Sequence, residues 1–350
     1  VEMSSFYPPV VACSAGVLSL VFPLAPLTSQ SVILAFLALA LVSVFFLGRR
    51  LFDRPTGVLA ALIFGAAPFV VFSTTNFQLD LPLAAAVSLS LLALALTEDF
   101  SRRAWSVAAG LSFAFGMLVK PPFAVYLLPP LALVAWRALR APDRRARALN
   151  VGVALLLGGA LSLPWYGPRL FGLPLQIVNR SFKQAALQGS PEIFSAASLL
   201  LYPRALPAIF GLLAAPLFAW GLWALARRRD SRALLWSAAL VPFGVFLLIQ
   251  NKNYRYVLPL LPVAALIAAA GLRSLAPPVA PRPDRGSRVP VGRPGERRRL
   301  RGDPAGAVDR LRGSPRVLVP AVAGRVASRP DSGCHRAGGR WSPGYGERRP

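Results

Sequence analysis

Along its first 275 residues the chain repeats one pattern: an apolar stretch near membrane length, a short polar turn, then another apolar stretch. Nine such stretches fall at 31–48, 57–73, 81–97, 104–119, 122–138, 151–165, 207–226, 233–250 and 256–273. A helix must run about 20 apolar residues to cross about 30 Å of hydrocarbon, and inside hydrocarbon a backbone has to satisfy its own polar groups. The pattern therefore predicts an all-α polytopic membrane protein, a bundle of about nine spans. The apolar run 10–22 lies between Pro9 and Pro23 and is too short to cross, so it is expected to lie along the interface or to re-enter.

Charge placement orients the bundle. Arginines crowd alternate turns, at Arg49, Arg50 and Arg54, at Arg102 and Arg103, between Arg137 and Arg147, and between Arg227 and Arg232. Positive charge marks cytoplasmic turns. The remaining turns, carrying Tyr7-Pro8-Pro9, Asp80, Lys120, the 166–205 connection and 251–255, are then expected together on the non-cytoplasmic face. No general rule sends unusual polar residues to one side of a bundle, so their gathering there points to a site.

Residues 276–350 differ in kind. They hold 17 arginines against six acids and show no apolar period, so they contribute +11 of the net +25 charge. Such a segment cannot bury enough apolar surface to offset its chain entropy. The expected organisation is a membrane domain over 1–275 and a disordered basic tail over 276–350, read either as an out-of-register translation or as a segment for anionic lipid. The apolar patch 317–322 is too short to span. Basicity of this kind, without interleaved aromatics, speaks against nucleic acid as a partner and for membrane lipids.

The site residues stand out by type. Only three lysines occur among 39 lysines and arginines. Lysine presents a compact ammonium suited to phosphate, where arginine offers a planar fork. Lys120 precedes Pro121-Pro122 at the non-cytoplasmic end of its helix, a poor place for a topological anchor. Lys252 sits with Tyr254, Arg255 and Tyr256 in one short turn that offers charge-assisted donors beside aromatic faces. Asp80 opens a long uncharged helix; the helix dipole favours a carboxylate there, and so does service as a charge partner at the membrane boundary. The single histidine, His335, lies in the tail, and no HExxH, CxxC, GxSxG or glycine-rich phosphate loop occurs. These absences argue against a His-dependent triad or a zinc cluster. No cofactor is assigned, and a divalent metal is left open.

The succession Tyr7-Pro8-Pro9, Gly48-Arg49-Arg50-Leu51-Phe52-Asp53-Arg54, Leu79-Asp80, Gly116-Met117-Leu118-Val119-Lys120-Pro121-Pro122, Leu163-Pro164-Trp165-Tyr166 and Lys252-Asn253-Tyr254-Arg255-Tyr256-Val257-Leu258-Pro259 resembles glycosyltransferase family 39. This family holds the bacterial relatives of protein mannosyltransferases and of the lipid A aminoarabinose transferase. The resemblance implies a GT-C fold and transfer of a sugar from a polyprenyl-phosphate donor to a lipid, glycan or protein acceptor, at a bacterial inner membrane and on its non-cytoplasmic face. It further implies a catalytic role for Asp80, donor-phosphate contacts for Lys120, Lys252 and Arg255, and a substrate cavity lined by Tyr7, Pro8, Pro9, Tyr166, Tyr254 and Tyr256. Relatives place their catalytic acid upstream of the Pro-Pro pair, where this chain has only Glu2, so the expectation is an N-terminally shortened enzyme without that base. A transporter or flippase of a lipid-linked glycan, gripping phosphate with the same cations, is the rival reading, and a ligand-free membrane scaffold the next.

Overall fold

The computed structural model describes residues 7–23, 25–227 and 233–275. The tail beyond 275, with its patch at 317–322, and Glu2 lie outside the described residues. Every regular element among those described is helical. In order they are α1 (Val10–Ser19), α2 (Pro26–Leu51), α3 (Arg54–Gly65), α4 (Pro68–Thr74), α5 (Asp80–Leu96), α6 (Arg103–Val119), α7 (Phe123–Arg140) and α8 (Arg144–Tyr166). The chain continues through α9 (Gly172–Val178), α10 (Gln184–Leu187), α11 (Ala196–Leu199), α12 (Leu201–Phe210), α13 (Ala214–Arg227), α14 (Ala233–Leu248) and α15 (Leu261–Leu275).

By length and composition, α2, α7, the stretch 144–169 that contains α8, and the stretch 254–275 that ends in α15 can each cross a membrane. The protein is thus an integral membrane protein. Helices α5, α6 and α14 are also apolar but run only 16 or 17 residues.

Two expected spans are not single helices. The stretch 57–73 breaks between α3 and α4, which meet at 61°. Pro68 opens α4 and cannot continue the hydrogen-bond ladder of α3, so the chain turns through Ala66 and Ala67. The stretch 207–226 breaks more sharply, the helical run 196–210 meeting α13 at 119°. Gly211 forms the corner at φ 107°, a backbone conformation open to glycine and hostile to other residues.

Helices α5 and α15 are buried over most of their surface, as helices that are apolar all round must be. Both are rich in alanine, and small residues let neighbouring backbones close up. At the crossing of α13 and α15 the approach reaches contact: a β-carbon on Gly271 would lie 2.7 Å from the Gly221 Cα. Helix α1 lies against α2 and α6, and the residues that follow it, Leu20, Val21 and Phe22, are exposed.

The bundle has two chemically different ends. At one end, the α5–α6 turn places Glu98, Asp99 and Phe100 at φ 51°, 53° and 60°, three consecutive left-handed residues, none of them glycine. Each costs about 1–2 kcal/mol in that conformation. Partners from α8 offset the cost: Arg147 donates to the Glu98 and Asp99 carbonyls at 3.2 and 3.1 Å, and Asn150 to that of Phe100 at 2.8 Å. The Phe100 amide donates to the Thr97 hydroxyl, and its side chain is fully buried. The Glu98 carboxylate bridges Arg50 of α2 at 2.6 Å and Arg102 at 2.9 Å. Arg273 and Asp53 meet at the same end, 3.3 Å apart. The opposite end carries lysine, aspartate and tyrosine.

Candidate functional site

Lys120 follows the last residue of α6. Residues before proline are driven out of the helical region, and Lys120 is extended at φ −161°, ψ 134°, ahead of Pro121. Its amide still donates to the Gly116 carbonyl, and α7 begins three residues on. The hairpin is this tight because Gly116 has no β-carbon: the Phe123 ring folds back onto the space one would occupy. Lys120 is thereby held at a rigid tip, with its ammonium against the first residue of α5.

That residue is Asp80. Lys120 Nζ and Asp80 Oδ1 are 2.5 Å apart, and the side chains are 13% and 6% exposed. Asp80 is buried, unlike the other described carboxylates. The α5 dipole favours its charge, and the ammonium completes the balance. Removing one member of such a pair strands a buried charge at a cost of about 3–5 kcal/mol.

The turn before α15 is secured separately. Buried Tyr126, one turn into α7, donates its hydroxyl to the Tyr256 carbonyl at 2.8 Å. The Tyr256 ring stacks on Phe246 of α14, centroids 5.2 Å apart and planes 8° apart, and the Tyr126 ring tilts against Phe246 at 5.3 Å. Tyr202 of α12 donates to the Asn253 carbonyl at 3.3 Å. Asn251 donates from its amide to the Ser181 carbonyl and from its side chain to that of Arg180, tying the 166–205 connection to the turn.

Lys252 donates to the Phe246 and Leu247 carbonyls at 2.9 and 2.6 Å, where a cation meets the negative end of the α14 dipole. Burial pushes its ammonium below the usual lysine range. Of the expected site residues, then, Asp80 and Lys120 are joined directly. Lys252 and Tyr256 lie at the same end, linked through Phe246 and Tyr126, with the Lys252 ammonium engaged by the end of α14. Tyr166 joins them by donating to the Met117 carbonyl at 2.7 Å, three residues before Lys120. Pro8 is buried and Pro9 immediately precedes α1, while Tyr7 is 41% exposed yet within electrostatic reach of Tyr256. Tyr254 and Arg255 are exposed, the Arg255 amide donating to Asn253 Oδ1. No three His, Cys, Asp or Glu side chains gather as a metal site among the described residues.

Tyr126, Tyr202 and Phe246 were not legible as site residues. Tyr126 and Tyr202 carry one signal, a phenol in an apolar helix, whose hydroxyl needs a partner when buried. The sequence does not say which carbonyl supplies it.

Known proteins add to this geometry. Residues 8–168 match the family model described as dolichyl-phosphate-mannose-protein mannosyltransferase. The match covers Asp80, Lys120, Tyr126 and Tyr166. A curated relative, the undecaprenyl phosphate-alpha-4-amino-4-deoxy-L-arabinose arabinosyl transferase of Pseudomonas aeruginosa (strain UCBPP-PA14), is 29% identical over 246 residues, 64% of this chain and 40% of that protein. Among solved structures, ArnT from Cupriavidus metallidurans bound to undecaprenyl phosphate superposes with a TM-score of 0.62 at 19% identity, over 78% of this chain and 51% of that one. The archaeal oligosaccharyltransferase AglB from Archaeoglobus fulgidus, in complex with an inhibitory peptide and a dolichol-phosphate, superposes at 0.52 with 14% identity, over 77% and 42%. The chain thus spans about half the length, or less, of these relatives. On these grounds residues 8–168 are similar to the mannosyltransferase family so described, and the chain shares the fold of ArnT.

Proposed function

We propose that the protein transfers a sugar from a polyprenyl-phosphate donor to a hydroxyl or amine of a lipid, glycan or protein acceptor, at the Asp80–Lys120 end of the bundle. The observation that carries this reading is the buried ion pair itself, a carboxylate and an ammonium fixed by α5 and by a proline-locked hairpin. It sits in a fold shared with a protein crystallised on undecaprenyl phosphate.

In the reaction the bond between the sugar's anomeric carbon and the phosphate oxygen breaks, and a bond from the acceptor atom to that carbon forms. The bonding pair leaves with the phosphate, whose added charge a nearby ammonium stabilises in a water-poor setting. Lys120 is proposed to supply that ammonium, with Lys252 and Arg255 as further cations of the same end. The acceptor's proton goes to a carboxylate, and Asp80 is the buried carboxylate among the described residues. Tyr166, Tyr254, Tyr256 and Tyr7-Pro8-Pro9 are proposed to border the sugar and acceptor. The arginine end is assigned to the cytoplasm and the site end to the opposite face of a bacterial inner membrane, by the excess of arginine on one side.

The test is transfer of radiolabel from a polyprenyl-phosphate sugar in membranes carrying the protein. Label in an acceptor, lost in Lys120→Ala at equal protein level, supports transferase chemistry. Lipid-linked label that crosses the bilayer without transfer supports the flippase reading instead.

A further inference from the structure

Tyr126 has no place in the chemistry just described, yet it ties the two halves of the site together. Its ring is 1% exposed inside α7, the helix whose start is fixed by the Lys120 hairpin. Its hydroxyl holds the Tyr256 carbonyl at 2.8 Å. Both phenols lie within electrostatic reach of the Asp80 carboxylate. Phe246, in contact with both rings, offers its own carbonyl to Lys252. One hydrogen bond therefore connects the segment that carries Lys252 and Tyr256 to the helix that follows Lys120. Further hydrogen bonds on that segment run to Tyr202 of α12, to the end of α14 and to the 166–205 connection.

We propose that Tyr126 is a positioning residue, whose hydroxyl sets the 251–257 turn at a fixed register against the Asp80–Lys120 pair so that both sides of the site meet one phosphate. This rests on the donor-site reading above. A tyrosine there fills the same core volume as phenylalanine, so only the register of the turn depends on the hydroxyl. Its loss leaves a buried carbonyl unpaired, which favours a small displacement of the turn.

The experiment compares wild-type protein with Tyr126→Phe in lipid nanodiscs, using undecaprenyl phosphate as the probe and amide hydrogen exchange as a second readout. The expected result is an affinity for undecaprenyl phosphate weakened by about fivefold, the worth of one hydrogen bond. Exchange should become faster across 251–257 and stay unchanged in α5 and α6. Tyr202→Phe, which removes a longer bond to the same turn, should have the smaller effect on both. Unchanged affinity and unchanged exchange in Tyr126→Phe overturn the proposal. So does faster exchange spread through the whole bundle, which marks a merely structural tyrosine. If wild-type protein binds no undecaprenyl phosphate, the donor-site reading falls, and the exchange pattern still decides whether Tyr126 sets the turn.

Discussion

The two ends of the bundle solve the same problem, closing helix hairpins at a membrane boundary, with opposite means. The arginine end closes α5 onto α6 through a strained left-handed turn and holds it with many contacts, its ion pairs exposed: Glu98 alone meets two arginines, and Arg147 meets two carbonyls. The site end closes α6 onto α7 with prolines and one glycine, and among the described residues it buries one ion pair. Redundant exposed contacts tolerate loss, because each surface ion pair is worth at most about 1 kcal/mol. A lone buried pair does not, because the surviving partner is left without compensation. An end built for stability alone has no reason to take the second form.

The sharpest way to break this contrast is at Lys120. Lys120→Ala is expected to lower transfer by at least about 100-fold, the scale for removing a group that stabilises developing charge. It should also destabilise the protein, by about 3–5 kcal/mol, through the orphaned Asp80; Lys120→Met with Asp80→Leu should regain stability but not transfer. Lys120→Arg is expected to recover part of the activity, since its fork is larger and planar. Labelled-sugar transfer and thermal unfolding in detergent check all three.

A second substitution probes the site-end hairpin. Gly116→Ala drives a methyl into the Phe123 ring, and overpacking of this kind costs about 1–3 kcal/mol. The Lys120 tip should shift with it, so activity should fall further than melting temperature does. At the arginine end, Arg147→Ala leaves the Glu98 and Asp99 carbonyls without that donor and is expected to cost about 1–3 kcal/mol, with transfer by the folded fraction unchanged. If Arg147→Ala lowers transfer as Lys120→Ala does, the division of labour between the ends is wrong.

The smallest effects belong to single exposed charges. Arg50→Gln, which leaves Glu98 its bond to Arg102, is expected to cost less than about 1 kcal/mol. Asp53 gives a pH signature. Burial pushes its carboxyl up, but bonds from the Thr56 hydroxyl and amide and from Arg273 outweigh burial and hold it below the usual carboxylate value. Its contribution is therefore present above the unfolded value and is lost as pH falls through the folded one. Asp53→Asn should lower the melting temperature at neutral pH and leave it little changed at the acid end, which flattens that part of the acid limb.

How far the sequence can be read follows the same division. Helix class, helix order and the gathering of Asp80, Lys120, Lys252 and Tyr256 at one end were legible, because apolar length and arginine spacing are local signals that accumulate along the chain. The breaks at 66–67 and at Gly211 were not, since membrane helices tolerate proline and glycine wherever neighbours satisfy the freed backbone groups. The left-handed turn was illegible for a related reason. Glu98-Asp99-Phe100 contains no glycine or asparagine, and what permits its conformation is Arg147 and Asn150, residues of another helix. Lys252 shows how residue type can outrun geometry: its ammonium is spoken for by the end of α14, so a role at phosphate requires it to leave those carbonyls or share them.

The measurement that tests the central claim most directly is binding of undecaprenyl phosphate to wild-type protein, Lys120→Ala and Arg50→Gln, each verified as folded. The account predicts saturable binding by wild-type protein and by Arg50→Gln, with affinity lost by at least about tenfold in Lys120→Ala, as for a charge-assisted contact. Equal binding by all three proteins, or a loss in Arg50→Gln that matches the loss in Lys120→Ala, would contradict it.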